Sequence, residues 1–282
     1  MSGILNIFAH GTPLVMDRRS ITNFFNLLVE SIKRRNEIAV ISIMHSNNEL
    51  GSIQPIAEVA QIAGAIPVHT DAVQSFGKIP FNFEELGVSA ATLSAHKIGG
   101  PLGVAALVLK HGIDLAPLLH GGGQEREIRS GTINAPGIVA FAKAAEIAIA
   151  TRESNFKVIR ELRDQLITGL KHAVPDLILN SPADPALPGV VNISIPGTES
   201  DALLLLLDSE GVSASAGSAC SAGVPRPSHV LIAMGIAEEL ADASLRISIG
   251  ASNTSDEIKK VISLMPSVVE RARNAFAVGK LS

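Results

Sequence analysis

The chain of 282 residues has no tryptophan, no tyrosine and a single cysteine, and aromatic residues make up only 3% of it. One cysteine cannot form an internal disulfide and supplies too few ligands for a structural zinc site, so no metal centre is expected. Positive charge is in short supply as well, the formal net charge being −4 and the isoelectric point about 6.1. Nucleic-acid binding calls for a basic field and for aromatic rings on which bases stack, and neither is present. Long apolar runs are also missing. The best candidate, Ala202 to Leu207, is cut off by Asp208, far short of the ~20 residues that cross a bilayer. Near the start, Ile4-Leu5-Asn6-Ile7-Phe8 is followed by Arg18 and Arg19 instead of being preceded by basic residues, the reverse of a secretory signal. These absences point to a protein of the cytoplasm with no membrane contact.

What is present is the material of a globular core, with 46% hydrophobic and 18% charged residues. From Ile38 onward, short β-branched runs alternate with helical patterns. Strands are expected at 39–44, 66–69, 90–94 and 104–109, with a helix at 56–63. This order predicts an α/β fold, with a mostly parallel sheet flanked by helices. Gly121-Gly-Gly123 interrupts the alternation, and helices are expected over about 135–150 and 154–173. Beyond the proline-rich stretch at Pro182, Pro185 and Pro188, strands at 190–195, 212–214 and 245–249 and helices at 201–207, 227–234 and 255–275 predict a smaller α+β C-terminal domain. Residues 1–152 are assigned to the large domain and 153–282 to the small one. Thr254-Ser-Asp-Glu257 is expected to cap the last helix.

In such sheets ligands lie beyond the strand C-termini, and Asn47, Asp71 and Lys97 each follow a predicted strand. An aspartate and a lysine so placed are what pyridoxal phosphate requires: the amine condenses with its aldehyde and the carboxylate keeps the pyridine nitrogen protonated. Each residue also has a plainer reading. Lys97, in Ser94-Ala-His-Lys-Ile-Gly-Gly-Pro101, could be a solvated lysine in a turn, although Ser94 and His96 beside it can donate to a phosphate. Asp71 could cap the stretch after it, and Gln74 could be a surface glutamine. Asn47, in His45-Ser-Asn-Asn-Glu49, could simply hold a turn. Arg246 sits on a predicted strand, where it could pair with a structural carboxylate or grip a substrate carboxylate with its fork of donors. Cys220 lies in Ser213-Ala-Ser-Ala-Gly-Ser-Ala-Cys-Ser-Ala-Gly223, a run of small residues that suits a reactive thiol better than an inert core cysteine. Gly121-Gly-Gly-Gln-Glu-Arg126 with Arg129-Ser-Gly-Thr132 reads as a phosphate cradle or as a connector.

Taken in order, Met44-His-Ser-Asn-Asn-Glu-Leu-Gly51, His69-Thr-Asp-Ala-Val-Gln74, Ser94-Ala-His-Lys97, the two glycine-loop motifs, Gly217-Ser-Ala-Cys220, Pro227-Ser-His-Val230 and Arg246-Ile-Ser-Ile-Gly250 resemble the cysteine desulfurases of the NifS/IscS type, within the class V aminotransferases. The resemblance runs from about Ala39 to the end and implies a pyridoxal 5'-phosphate enzyme that converts L-cysteine to L-alanine. It implies catalytic roles for Lys97, which would hold the cofactor covalently, and for Cys220, which would carry the sulfur as a persulfide. Asp71 would pair with the ring nitrogen, Gln74 with the phenolate oxygen, and Ser94 and His96 with the phosphate. Thr132 would reach the phosphate in a partner subunit, implying a homodimer. Asn47 would lie beside cofactor and substrate, and Arg246 would hold the substrate carboxylate. A sulfur acceptor, such as an iron–sulfur scaffold protein or a thiolation partner, is implied too.

The stretch from Met1 to about Glu37 departs from the family. It shows no counterpart of the family's Gly-Ala-Thr-Glu phosphate turn or of the histidine that stacks on the ring, and neither His10 nor His45 replaces that histidine. The segment 59–66 is about two residues short. The large domain is therefore expected to be truncated at its N-terminal side, with a sheet edge or face left uncovered. Selenocysteine lyase and a non-catalytic remnant of the family are the alternatives, and the lone cysteine in its small-residue loop favours the desulfurase over the lyase.

Overall fold

A computed structural model describes residues 3–6, 30, 32, 38–216 and 227–279. The chain forms two compact units. Among the described residues, one comprises 3–6, 32, 38–45 and 55–152, and the other 30, 46–54, 153–216 and 227–279. The segment 46–54, placed with the large domain on sequence, groups with the second unit.

The first unit is built on five strands, β1 (Gly3–Asn6), β2 (Ile38–Met44), β3 (Val68–Asp71), β4 (Ala90–Ser94) and β5 (Ala105–Leu109), in that spatial order. The pairings β1–β2, β2–β3 and β3–β4 are parallel and β4–β5 is antiparallel, which bears out the mostly parallel sheet. Successive strand side chains point to opposite faces. Accordingly Ile41, Ile43, Val68, Thr70, Ala91 and Leu93 are buried, while Ser42, Met44, His69, Asp71, Thr92 and Ser94 are half-buried on the other face. Apart from Met44, the half-buried face is polar. Helix α1 (Ile56–Ala63) packs on β3 and turns Ile56, Val59 and Ala63 inward, the spacing of an amphipathic helix.

Helix α2 runs without a break from Ala135 to Ala173, where two helices were expected. Nothing between Gly137 and Gly169 is a glycine or proline, and Thr151 Oγ1 donates back to the Ile147 carbonyl at 2.9 Å, so a hydroxyl that reads as a stop is accommodated inside the helix. Its Phe141 joins Ala72, Leu93, Ala95 and Val104 in a core cluster beneath the ends of β3 and β4.

The second unit has a three-stranded antiparallel sheet, β6 (Ile178–Leu179), β7 (Val190–Ser194) and β8 (Ser244–Ser248). Its helices are α3 (Ser200–Ser209), α4 (His229–Ala233), α5 (Glu238–Asp242) and α6 (Ser255–Gly279). Leu166 and Leu170 of α2, Val191 and Ile193 of β7, Leu203 of α3, and Met265 and Val269 of α6 share its main core. At the start of α6, Glu257 N–H donates to Thr254 Oγ1 at 3.3 Å and Thr254 N–H donates to Glu257 Oε2 at 2.8 Å. This reciprocal pair is a capping box. The strand expected at 212–214 is absent. In its place Ser215 makes a single bridge to Arg246, because a run of small residues has little apolar surface with which to extend a ladder.

Candidate active site

The first unit gathers six of the expected site residues. Asp71 ends β3 and faces Met44 on one side and Thr92 on the other. Its Oδ1 accepts from Val73 N–H at 2.9 Å, which fixes the carboxylate at the point where the strand turns. The neighbouring parallel strand β4 ends at Ser94 and leads directly into a 3₁₀ turn, Ala95–Ile98, that carries His96 and Lys97. Ala95 is buried as the anchor of this turn, and His96 and Lys97 are exposed. Ser94 Oγ and His96 Nδ1 are 2.7 Å apart. The turn closes on Gly99, in the left-handed region at φ 82°, with Gly100 N–H donating to the Ala95 carbonyl at 2.9 Å. A Cβ on Gly100 would stand 2.9 Å from Ala95 Cβ and 3.2 Å from Ala144 Cβ, so glycine lets the lysine turn lie flat on α2.

Gln74 follows Asp71 in a tight turn, and its Oε1 accepts from Lys78 Nζ at 3.2 Å. Thr132 is exposed, at the end of the glycine-rich loop. That loop is tied to itself: Ser130 Oγ donates to the Gly122 carbonyl at 2.6 Å and Gly131 N–H to Gln124 Oε1 at 3.2 Å. Three consecutive residues within it, Glu125, Arg126 and Glu127, have φ of 49°, 56° and 65°, a left-handed backbone that non-glycine residues adopt at a cost.

Behind Asp71 lies a polar ladder that sequence reasoning missed. His69 on β3 places Nδ1 2.8 Å from Ser42 Oγ on β2 and Nε2 2.8 Å from Thr92 Oγ1 on β4. Burial lowers its pKa, against an opposing pull from Asp71. His45 is buried, with Nδ1 2.9 Å from Ser75 Oγ and its ring tilted against Phe81 at 5.9 Å. Its Nδ1 and one ring contact are thus made within the interior.

The second unit holds Asn47 and Arg246. Asn47 is buried, and its Oδ1 accepts from Glu49 N–H at 2.8 Å and Leu50 N–H at 2.9 Å. The turn-holding role seen in the sequence is thus present. Arg246, on β8, donates from Nη1 to the Asn48 carbonyl at 3.4 Å, and its backbone pairs with Ser215. A further contact invisible in sequence joins the two ends of this region: Ser228 Oγ donates to the buried Glu49 carboxylate at 2.5 Å and also caps α4 by accepting from Leu231 N–H at 3.2 Å. Residues 179 apart in the chain meet there, a separation no local pattern reveals. Cys220 and the small-residue loop around it lie outside the described residues.

The strand-end residues fit pyridoxal phosphate by their chemistry. A carboxylate, a carboxamide, a hydroxyl, an imidazole and a primary amine issue from two adjacent parallel strands, and they supply one partner each for a ring nitrogen, a phenolate and an aldehyde and two for a phosphate. Among the described residues no cluster of histidine, cysteine or carboxylate side chains is suited to a metal ion, and no helix is long and apolar enough to cross a membrane.

Comparison with known proteins gives this arrangement a family. The IscS-like cysteine desulfurase of Mycobacterium tuberculosis is 44% identical over 251 residues, 88% of this chain and 64% of that protein. The cysteine desulfurase IscS of Methanosarcina thermophila is 43% identical over 242 residues, 85% of this chain and 60% of that protein. The crystal structure of a NifS-like protein from Rickettsia africae superposes with a TM-score of 0.78 at 32% identity, covering 90% of this chain and 74% of the other. The chain thus spans less than two thirds of the length of the two sequence relatives. Residues 15–261 match the class-V aminotransferase description, and with the strand-end cluster inside that span, the chain belongs to the class-V aminotransferase family and is similar within it to the NifS and IscS cysteine desulfurases.

Proposed function

We propose that this chain carries the catalytic residues of a pyridoxal-phosphate-dependent cysteine desulfurase, which converts L-cysteine to L-alanine and retains the sulfur on Cys220. The observation that carries the reading is the delivery of Asp71 and of the Lys97 turn by neighbouring parallel strands, β3 and β4. When bound, pyridoxal phosphate supplies an electron sink for the bonds at the substrate Cα. The protein's part is to hold and move protons and sulfur. Asp71 keeps a proton on the ring nitrogen, and Gln74 donates to the phenolate oxygen. Ser94 and His96 hold the phosphate, with Thr132 of a second copy. Lys97 Nζ would hold the cofactor's aldehyde and, as a free amine, would take the proton from the substrate Cα and return one toward the product. Arg246 grips the substrate carboxylate, with Asn47 beside it. The Cys220 thiolate attacks the substrate sulfur, the C–S bond breaks, and the new S–S bond leaves a persulfide on the protein and L-alanine as product.

The relatives are named cysteine desulfurases, which favours this reading over selenocysteine lyase. The IscS names suggest delivery of the sulfur to iron–sulfur cluster assembly, with a thiolation partner as the alternative acceptor. Cytoplasmic residence suits a persulfide, since a reducing compartment keeps Cys220 from being locked in a disulfide. A homodimer is supported by the first part of α2: Ile138, Val139, Ile147 and Ile149 are exposed while Phe141 packs inward, so the outer side carries aliphatic surface around the Lys143–Glu146 ion pair, and clustered exposed apolar side chains mark an interaction site.

Purified protein mixed with pyridoxal phosphate should show the visible absorbance of a lysine-bound cofactor, and Lys97→Ala should lose it. L-cysteine should yield L-alanine, and Cys220→Ser should reduce turnover by at least 100-fold. A protein that stays colourless in excess cofactor would be a non-catalytic remnant, and full turnover by Cys220→Ser would remove the thiol from the mechanism.

A further inference from the structure

Gln74 and Lys78 stand one turn apart in the tight segment after β3. Ser75 and Phe76 N–H both donate to the Ala72 carbonyl, at 3.1 and 2.9 Å, and Lys78 and Ile79 N–H donate to the Ser75 carbonyl at 3.0 and 3.1 Å. The segment is pressed onto the Lys97 turn. A Cβ on Gly77, whose φ is +73°, would stand 3.0 Å from Ile98 Cγ2 and 2.9 Å from Ala148 Cβ. Lys78 is half-buried there, and burial first, then the Lys97 charge, pushes its ammonium down to about 8. It is nevertheless within hydrogen-bond distance of Gln74 Oε1 at 3.2 Å.

A carboxamide has an accepting end and a donating end, and a half-turn of the group exchanges them. An ammonium group has three donors and no acceptor. Lys78 therefore selects one of the two orientations: the oxygen of Gln74 faces the ammonium and the amino group is turned away from it. The opposite orientation would lose the hydrogen bond and set two N–H groups against a cation.

We infer that Lys78 is a positioning residue for Gln74, holding its carboxamide so that the amino end is presented as a donor to an anionic oxygen, here the phenolate of the pyridoxal ring. The inference rests on the function proposed above. It assigns Lys78 no contact with substrate or cofactor, and its action runs through Gln74.

A double-mutant cycle read by pyridoxal phosphate affinity tests this, with Lys78→Met, Lys78→Arg, Gln74→Met and the double variant Lys78→Met/Gln74→Met. Lys78→Met should weaken pyridoxal phosphate binding roughly five- to tenfold, the effect of one misdirected hydrogen bond, and Lys78→Arg should restore most of it. In the Gln74→Met background, Lys78→Met should have almost no further effect. A second readout needs no cofactor: the Gln74 carboxamide NMR resonances should shift in Lys78→Met and return in Lys78→Arg, with the thermal midpoint of each variant confirming the fold. Equal losses in both backgrounds would overturn the inference, because Lys78 would then act by its own charge. Unchanged affinity and unchanged resonances in Lys78→Met would overturn it as well. If the wild type binds no pyridoxal phosphate, the proposed function fails, and the Gln74 resonances alone then decide whether Lys78 orients the amide.

Discussion

Burial lowers the pKa of both His45 and His69 below the ordinary value of 6.5. The folded chain therefore resists a proton that the unfolded chain accepts freely. By linkage, the stability contributed by these two neutral imidazoles is fully present above pH ~6.5 and is lost as the pH falls below that point. The expected outcome is a thermal midpoint that declines between pH 7 and pH 5, and a shallower decline in His45→Gln, whose amide can still bond Ser75 Oγ but does not titrate. Fluorimetric melts across that pH range check it, and parallel slopes for the two proteins would show that His45 takes up no proton differently on unfolding. Neither this burial nor the Ser42–His69–Thr92 ladder is legible in the sequence, because both depend on which strands lie side by side. The placement of Asp71, Gln74, Ser94, His96 and Lys97 near strand ends was legible, because each lies within a few residues of a strand-forming run. Lys78 carried a weaker signal, its spacing of one helical turn from Gln74, which gains meaning only with the register of β3 and β4 in hand.

At the scale of elements, period-2 and period-3.6 patterns located most of the strands and helices of both units; β1, β6 and α5 are too short to show a period and went unread, and the other misses have local causes. A helix continued through Thr151 and Ser154 because nothing there breaks it. The strand expected at 212–214 shrank to one bridge because small residues offer a ladder no apolar face. Glycine at the entry to β7 illustrates a constraint that no pattern announces. A Cβ on Gly189 would lie 2.2 Å from the Ile249 carbonyl oxygen and 2.9 Å from Ile159 Cγ2, and the Gly189 carbonyl itself accepts from Ile249 N–H at 2.8 Å. The obstacle is backbone on one side and a packed helix on the other, so relief means moving β8 or α2. Gly189→Ala is expected to cost about 1–3 kcal/mol, the usual range for overpacking, measured by urea denaturation against wild type. A change within ~0.5 kcal/mol would mean that the strands separate more readily than this packing implies.

At the scale of the molecule, the first part of α2 presents a problem that a monomer does not solve. Its inward stripe is carried by Gly137, Phe141, Ala144 and Ala148, yet Val139 is 69% exposed, Ile147 53% and Ile149 51%, with the exposed Lys143–Glu146 ion pair set among them. Leu118 and Leu119, in the same unit, are exposed as well. Water contact over so much aliphatic surface is unfavourable by roughly 25 cal/mol for each Å², and a second copy of the chain is the simplest body of matching character, since a two-fold contact sets the same patch against itself. The expectation is a dimer by light scattering, and a shift toward monomer when Val139→Glu and Ile147→Glu are combined, because each would place a carboxylate in the contact without disturbing the Phe141 side of the helix. The far-ultraviolet circular dichroism of the double variant should be unchanged. If the phosphate site is completed by Thr132 from the second copy, the monomeric variant should also bind pyridoxal phosphate more weakly, by about tenfold for one lost charge-assisted hydrogen bond. A monomeric variant that binds the cofactor as tightly as wild type would separate dimer formation from the site and leave Thr132 without a role in it.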